Sequence, residues 1–210
     1  VITWAASDGR EEGGDRVVPA ASTIKLFVAS AFWRSALDPR ERVAVPPAAW
    51  SVADRLAGPL TLADCALLML AFSDNAATNV LLERLGFDAV NEEAGRLGAE
   101  RTEVRRLLMS QGPENVTCAR DLARGLAGID DDRVLSALAL AQDSELHFRL
   151  AGREVIVKTG EIWPRVYHEV ALVDRKLAVA VCSEPAALPS EVAARAEWVI
   201  GSSLERVNSS

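Results

Sequence analysis

Residues 22–37, STIKLFVASAFWRSAL, are apolar on nearly every side until Arg34. A helix without a polar face has to be covered all the way round, so the chain must fold with this segment inside it. Two kinds of segment are available as cover. Residues 1–6, 154–158, 166–173 and 177–182 are rich in β-branched residues and read as strands, with Asp174-Arg175 as the tight turn that makes the last two antiparallel. The polar, Gly-rich residues 7–15 read as a hairpin turn from the first strand to Val17-Val18, which Pro19 ends.

The remaining segments are helical. Thr61 followed by Asp64 ahead of a Leu/Met run reads as a capped helix start, Asp standing in for Glu or Gln, and that helix stops near Phe72. Further helices are expected at 75–85, closed by Gly86, at 88–97, closed by Gly98, and at 117–126 and 131–141. Residues 38–59 read as a Pro-rich crossing loop, and residues 188–207, with Trp198, Val199 and Leu204, as a closing amphipathic helix. The expected fold is α+β: an antiparallel sheet formed by both chain ends, flanked by helices, with an inserted all-α lobe. It is read as one domain over 1–210, with the sheet layer in 1–19 and 151–210 and the helical lobe in 20–150.

Composition narrows the function. At 50% apolar and 25% charged residues the chain is not of disordered type, and no run approaches the roughly 18 apolar residues of a membrane span. A net charge of -7, with no basic cluster longer than Arg105-Arg106, argues against nucleic acid as a partner. Cys65, Cys118 and Cys182 form no Cys-x-x-Cys, and the histidines are His147 and His168 alone, so no disulfide framework, metal site or cofactor is expected. Each Cys reads as a small buried apolar residue, and His168 as a strand residue at a solvated edge.

The cations are 20 Arg and only 3 Lys, at positions 25, 158 and 176. Unlike guanidinium, an ammonium can lose its proton, which singles out these three positions for proton chemistry. Ser22 and Lys25 lie three apart at the start of the apolar helix, on one face and within reach of each other. Burial and a second cation both favour a neutral Lys25 amine, and Lys158 is available as that cation. Ser22 at a helix N-terminus has a backbone N–H ready for an oxyanion. Ser73-Asp74-Asn75, at a junction of helices, offers a second hydroxyl and an amide. Lys158-Thr159-Gly160, at the end of a strand, offers an ammonium and a hydroxyl for an anionic group, with Gly allowing close backbone approach. Taken singly, Lys25 also fits a surface lysine and Asp74-Asn75 a helix cap.

Ser-x-x-Lys, Ser-Asp-Asn and Lys-Thr-Gly in this order on an α+β chain resemble the serine β-lactamase and penicillin-binding protein superfamily, closest to the class A β-lactamases. The resemblance extends to 20–25, Leu60-Thr61-Leu62, 73–79 and the last strands and helix. It implies Ser22 as the acylated nucleophile, Lys25 as its proton acceptor and Ser73 as the relay toward the leaving nitrogen. It further implies Asn75 as a substrate amide contact, Lys158 with Thr159 as a carboxylate-binding pair, and the backbone N–H groups of Ser22 and Glu161, the residue after Gly160, as the oxyanion hole. The chain departs from the family in three places. In place of a Glu-x-x-Leu-Asn loop, residues 106–117 are short and leave Glu114 as the candidate water activator by elimination, a residue that reads equally as a solvated turn. For the Arg on the strand after Lys-Thr-Gly, Arg165 is the nearest match. A helix ahead of the first strand is missing at Val1, through removal of a segment or trimming of the fold.

Three functions compete on this sequence. The first is a class A β-lactamase-like serine hydrolase acting through a Ser22 acyl-enzyme. The second is a penicillin-binding-type D-Ala-D-Ala carboxypeptidase or an esterase that lactams acylate and that deacylates slowly. The third is a non-catalytic binding module on the same fold. Two histidines without a matching Asp context argue against a Ser-His-Asp triad. The expected partner is a small-molecule or short-peptide substrate, with the chain acting as a monomer. A secreted or periplasmic location is implied by the family alone.

Overall fold

The computed structural model describes residues 1–141 and 143–207, with backbone alone for 204–207. Strand β1 (Ile2–Ala6) turns back into a two-residue β2 (Glu11–Glu12) and is followed by β3 (Val18–Pro19). A 3-10 turn, Ala21–Ile24, runs into α1 (Lys25–Arg34), after which come β4 (Arg42–Val43), a 3-10 turn Ala53–Arg55, β5 (Leu60–Thr61) and α2 (Leu62–Ala71). Helices α3 (Asn75–Leu85) and α4 (Phe87–Arg96), strand β6 (Val116–Thr117), and helices α5 (Ala119–Ala127), α6 (Asp132–Leu138) and α7 (Leu146–Arg149) complete the middle of the chain. Strands β7 (Val155–Ile162), β8 (Val166–Val173) and β9 (Leu177–Ser183) and helix α8 (Pro189–Val207) close it.

Five strands form one antiparallel sheet in the order β2-β1-β9-β8-β7, so the N-terminal strand lies beside the last one. Side chains alternate between its faces. Ile156, Val170, Leu172, Ala178 and Ala180 face a core shared with α1, α2, α3 and α5, whereas Val157, Ala171, Val173, Val179 and Val181 face Val192, Ala196 and Val199 of α8. Burial on both faces explains why β9, LAVAVCS, reads as almost unbroken apolar sequence. Helix α1 is buried from Lys25 through Phe32, as a helix with no polar face requires.

Local signals place several boundaries. Thr61 and Asp64 make the reciprocal capping box of α2, Asp74 caps α3 through Ala77 N–H, and Asp174 and Arg175 both take positive φ (49° and 53°), as the two-residue hairpin turn demands. Other expectations are corrected. Val18 does not close the first hairpin: β2 does, and Val18–Pro19 pairs with Val116–Thr117 in a separate ribbon. That pairing also delays the helix expected from 117 to Ala119, while the helix expected over 131–141 spans Asp132–Leu138. The helix expected over 22–37 begins with a 3-10 turn and stops at Arg34, the Ser35 N–H bonding back to Phe32. The strand expected to end at Lys158 continues to Ile162, which puts Lys158-Thr159-Gly160 in mid-strand on the sheet's outer edge. His168 is not at a solvated edge: it is fully buried in a strand flanked on both sides, its Nε2 paired with Pro19 O at 2.7 Å. Arg42–Val43, within the expected loop, pairs with Leu60–Thr61 beside the α2 cap, and α7 lies in a stretch for which no element was expected. The Leu204 side chain lies outside the described residues.

Candidate active site

The 3-10 turn brings Ser22 to a cleft of about 1080 Å3 whose lining includes Ser73, Asn75, Glu114, Thr159, Gly160 and Glu161. Lys25, fully buried and not itself lining the cleft, lies one helical turn beyond Ser22. Lys25 Nζ lies 2.9 Å from Ser22 Oγ, 3.1 Å from Ser73 Oγ, 2.6 Å from Ser73 O and 2.9 Å from Asn75 Oδ1. Two of these partners, the carbonyls of Ser73 and Asn75, can only accept. They use the two N–H groups of a neutral amine and leave its lone pair facing the hydroxyls. Burial first, then the Lys158 charge, hold Lys25 well below the ordinary lysine range, against the opposing pull of Asp74.

Lys158, also fully buried, reaches the same hydroxyl from the opposite side, 3.0 Å from Ser73 Oγ and 2.9 Å from Thr159 O. Burial pushes it down to about 8, and Asp143 and Glu161 oppose that shift by favouring its charged form. Ser73 Oγ thus sits between two lysine nitrogens. Backbone at positive φ flanks both hydroxyls, at Ala21 (48°) and Ser73 (55°), a conformation that costs about 1–3 kcal/mol per residue and recurs at functional sites.

Asp74 supplies the frame. Burial raises its pKa, but Ala77, Ala53 and Val52 N–H and Ser51 Oγ all donate to the carboxylate, and the balance lies below the usual range. These bonds tie residues 51–53 to the start of α3 and fix Ser73 and Asn75 on either side. Asn75 is held at both ends, its Nδ2 donating to Ala49 O at 3.1 Å. The sequence offered Asp74 as a cap, which it is; its bonds to residues 51–53 left no local trace.

Gly160 carries the close approach. A Cβ there would stand 2.9 Å from Thr23 Cγ2, 3.0 Å from Thr23 N and 3.1 Å from Ser22 N. Only a bare Cα lets the strand edge reach the Ser22 turn. At the two ends of β7, Glu154 just before it and Ile162 direct their carbonyls to the side of β8, accepting from Asp174 and Arg165 N–H. Alternation along an antiparallel strand then turns the Glu161 N–H outward, to the same edge as Ser22.

The other sequence candidates are placed differently. Glu114 lines the cleft, but its carboxylate is bound by Arg106 at 2.8 Å and by Arg165 at 3.5 Å. Arg165 lies in the β7–β8 turn rather than on the strand, also faces Glu184 at 3.7 Å, and is not among the lining residues. Lys176 is exposed in the β8–β9 hairpin and does not line the cleft. Sequence reasoning missed Asp143, which accepts from Thr159 Oγ1 at 2.6 Å, and the exposed apolar rim of Trp50, Phe72, Met109 and Trp163. All three cysteines are buried and unpaired, and no His/Cys/Asp/Glu group that could hold a metal occurs among the described residues. No helix among them is long and apolar enough to cross a membrane.

The fold is that of the class A β-lactamase-like proteins. A class A β-lactamase from Mycobacterium abscessus aligns with 96% of this chain and 93% of its own at TM-score 0.82 and 20% identity, a likeness of fold. Residues 6–201 match the profile of the family described as the β-lactamase enzyme family, and the chain belongs to that family. It is similar to a β-lactamase from Sphaerobacter thermophilus at 26% identity and TM-score 0.75, covering 88% of this chain and 82% of that one. It is also similar to PBP-A at 25% identity and TM-score 0.82, covering 98% and 89%. None of the curated proteins matches the chain. Family and fold together support a serine hydrolase of the β-lactamase or penicillin-binding-protein type.

Proposed function

We propose that this protein opens β-lactams or related amides and esters through an acyl-enzyme on Ser22. The observation that carries the reading is the unbroken chain from Ser22 Oγ to Lys25 Nζ to Ser73 Oγ to Lys158 Nζ, each step between 2.9 and 3.1 Å. In acylation, Ser22 Oγ attacks the carbonyl carbon while its proton passes to the neutral Lys25 amine. The Ser22 and Glu161 N–H groups hold the developing oxyanion, one such donor contributing about 10²–10³-fold. The proton then moves from Lys25 through Ser73 Oγ to the leaving nitrogen, with charged Lys158 keeping the Ser73 hydroxyl oriented. Asn75, fixed by Lys25 and Ala49, contacts the substrate amide.

Deacylation separates two forms of this reading. A lactamase needs a base for the incoming water, and Glu114 is the acid available in the shortened 106–117 loop. Its pairing with Arg106 and Arg165 favours the slower alternative, a penicillin-binding-type carboxypeptidase or esterase that lactams acylate and that turns over poorly. Intact mass after mixing with a chromogenic cephalosporin tests both. A persistent adduct on Ser22 is the expected result, absent in Ser22→Ala. Rapid hydrolysis without an adduct, slowed in Glu114→Gln, favours the lactamase. Neither adduct nor hydrolysis leaves a binding module.

A further inference from the structure

Five of the thirteen exposed large apolar side chains among the described residues line the one cleft that holds Ser22: Trp50, Val52, Phe72, Met109 and Trp163. Single apolar residues on a surface need no explanation, but such a group gathered around a concavity marks a place where a ligand covers them.

The backbone beneath them is anchored. Trp50 stands between Ala49, whose carbonyl accepts from Asn75 Nδ2, and Ser51, whose Oγ donates to Asp74. Leu108, just before Met109, exchanges two hydrogen bonds with the Asn79 side chain, at 2.7 and 3.1 Å. Trp163 follows the end of β7, in a turn whose Pro164 carbonyl accepts from Ala186 N–H at 3.1 Å. Trp50 and Met109 also take positive φ (57° and 62°), a conformation uncommon for bulky residues and recurrent at ligand clamps. Apolar groups presented from fixed backbone lower the ordering cost of binding.

The reaction geometry divides these residues. In acyl transfer at Ser22 the leaving nitrogen lies toward Ser73, so the substituent on the other side of the carbonyl carbon points away from Ser73 and past the Glu161 N–H. That direction follows the edge of β7 to Trp163, the second residue after Glu161. Met109 belongs to the 106–117 loop, which Glu114 joins to the same β7–β8 turn through Arg165 at 3.5 Å.

Resting on the acyl-transfer reading of Ser22, we propose that Trp163 and Met109 receive a large apolar group on the acyl side of the scissile bond, aromatic in the best substrates. The substrate class is then lactams, amides or esters of bulky apolar acids rather than of small or polar ones. Trp163 is the specificity-determining residue, since an indole packs well on an aromatic ring, and the Met109 thioether supplies an adaptable second contact.

Four penicillins that share one nucleus and differ in the acyl side chain test this: acetyl, phenylacetyl, 4-biphenylacetyl, and the pyridyl isostere of the last, which keeps its shape and adds a nitrogen that water solvates. The second-order rate of adduct formation at Ser22 is followed by intact mass in the parent, in Trp163→Ala and in Met109→Ala. Phe148→Ala is the control, removing an exposed aromatic on α7 outside the cleft. The expected rates favour biphenylacetyl over acetyl by about tenfold to thirtyfold, with the pyridyl isostere roughly threefold to tenfold below biphenylacetyl. Trp163→Ala cuts the biphenylacetyl-to-acetyl ratio about fivefold to tenfold and Met109→Ala about threefold, while Phe148→Ala keeps the parental ratio. Rates that do not rise with apolar size, or a ratio that neither cleft variant lowers or that Phe148→Ala lowers equally, overturn the inference while the hydrolase reading stands. So does a ratio that varies with protein concentration, the sign of a second copy seated on these residues. If no compound acylates position 22, the hydrolase reading falls and this inference with it.

Discussion

Replacing Lys25 by Arg keeps a positive charge and removes the ability to accept a proton, which isolates the base from the charge. The surroundings can hold a guanidinium: Ser22 Oγ, Ser73 O, Ser73 Oγ and Asn75 Oδ1 all lie within 3.1 Å of the present nitrogen. The larger group in a fully buried place costs about 1–3 kcal/mol of stability, a fall in Tm of roughly 2–4 °C per kcal/mol for a chain of this size. A general base contributes about 10²–10⁴-fold, or about 3–5 kcal/mol of barrier, so acylation falls by that factor while the oxyanion donors preserve a residual rate. Lys25→Ala falls to within about tenfold of Lys25→Arg. The parent's acylation rate rises with pH as the depressed Lys25 ammonium loses its proton, and this acid limb disappears in Lys25→Arg. Stopped-flow mixing with a chromogenic cephalosporin across pH, beside thermal unfolding of each variant, reads both effects. A folded Lys25→Arg protein that acylates within tenfold of the parent, or keeps the parent's acid limb, would refute the base assignment.

Above pH 8 the acylation rate falls, because Lys158, pushed down to about 8 by burial, loses the charge that orients Ser73. The unfolded chain keeps that proton to about pH 10.4, so between 8 and 10.4 the unfolded state binds more protons and this lysine's contribution to stability rises with pH; urea titrations of Lys158→Met lack that increment. Gly160→Ala presses a methyl against Ser22 N and Thr23 N, costing about 1–3 kcal/mol and about a hundredfold in acylation, and a variant with parental Tm and rate contradicts the close-approach account. Asp74→Asn puts an NH2 among groups that donate to the carboxylate, from Ser51, Val52, Ala53 and Ala77, and lowers stability by about 2–4 kcal/mol in chemical unfolding. In the parent, the stabilisation from the depressed Asp74 is present above the ordinary Asp range and is lost as pH falls through its folded value; Asp74→Asn removes that acid sensitivity.

What could be read from sequence was what local spacing encodes. The Thr61 and Asp64 cap, the Asp174-Arg175 turn and the exact extents of α3 and β8 follow from residues within a few positions of each other. So does the Ser22–Lys25 contact, three apart on one helical turn. Ser73 and Lys158 stand 85 positions apart, and no spacing rule joins them; the residue types and their order suggested it, and the fold supplies the 3.0 Å. The misreadings share one cause. Val18 and Thr117 pair across the first four helices, His168 is covered by a carbonyl from Pro19, and Thr159 meets Asp143 from a polar stretch with no pattern of its own. Each is a contact between segments whose local sequences carry no mark of the other.

The lysine count has a physical reading once the geometry is in place. Two ammonium groups on a single hydroxyl, at 3.1 and 3.0 Å from Ser73 Oγ, repel, and burial penalises both charges, so the stable arrangement holds one neutral and one charged. The surroundings decide which. Lys25 faces two obligate acceptors that two N–H groups satisfy, and the acid that favours its charge, Asp74, is already engaged by four donors. Lys158 has Asp143 and Glu161 to hold its charge. In the proposed acyl-transfer reading, this asymmetry is what casts Lys25 as the proton acceptor and Lys158 as the fixed cation.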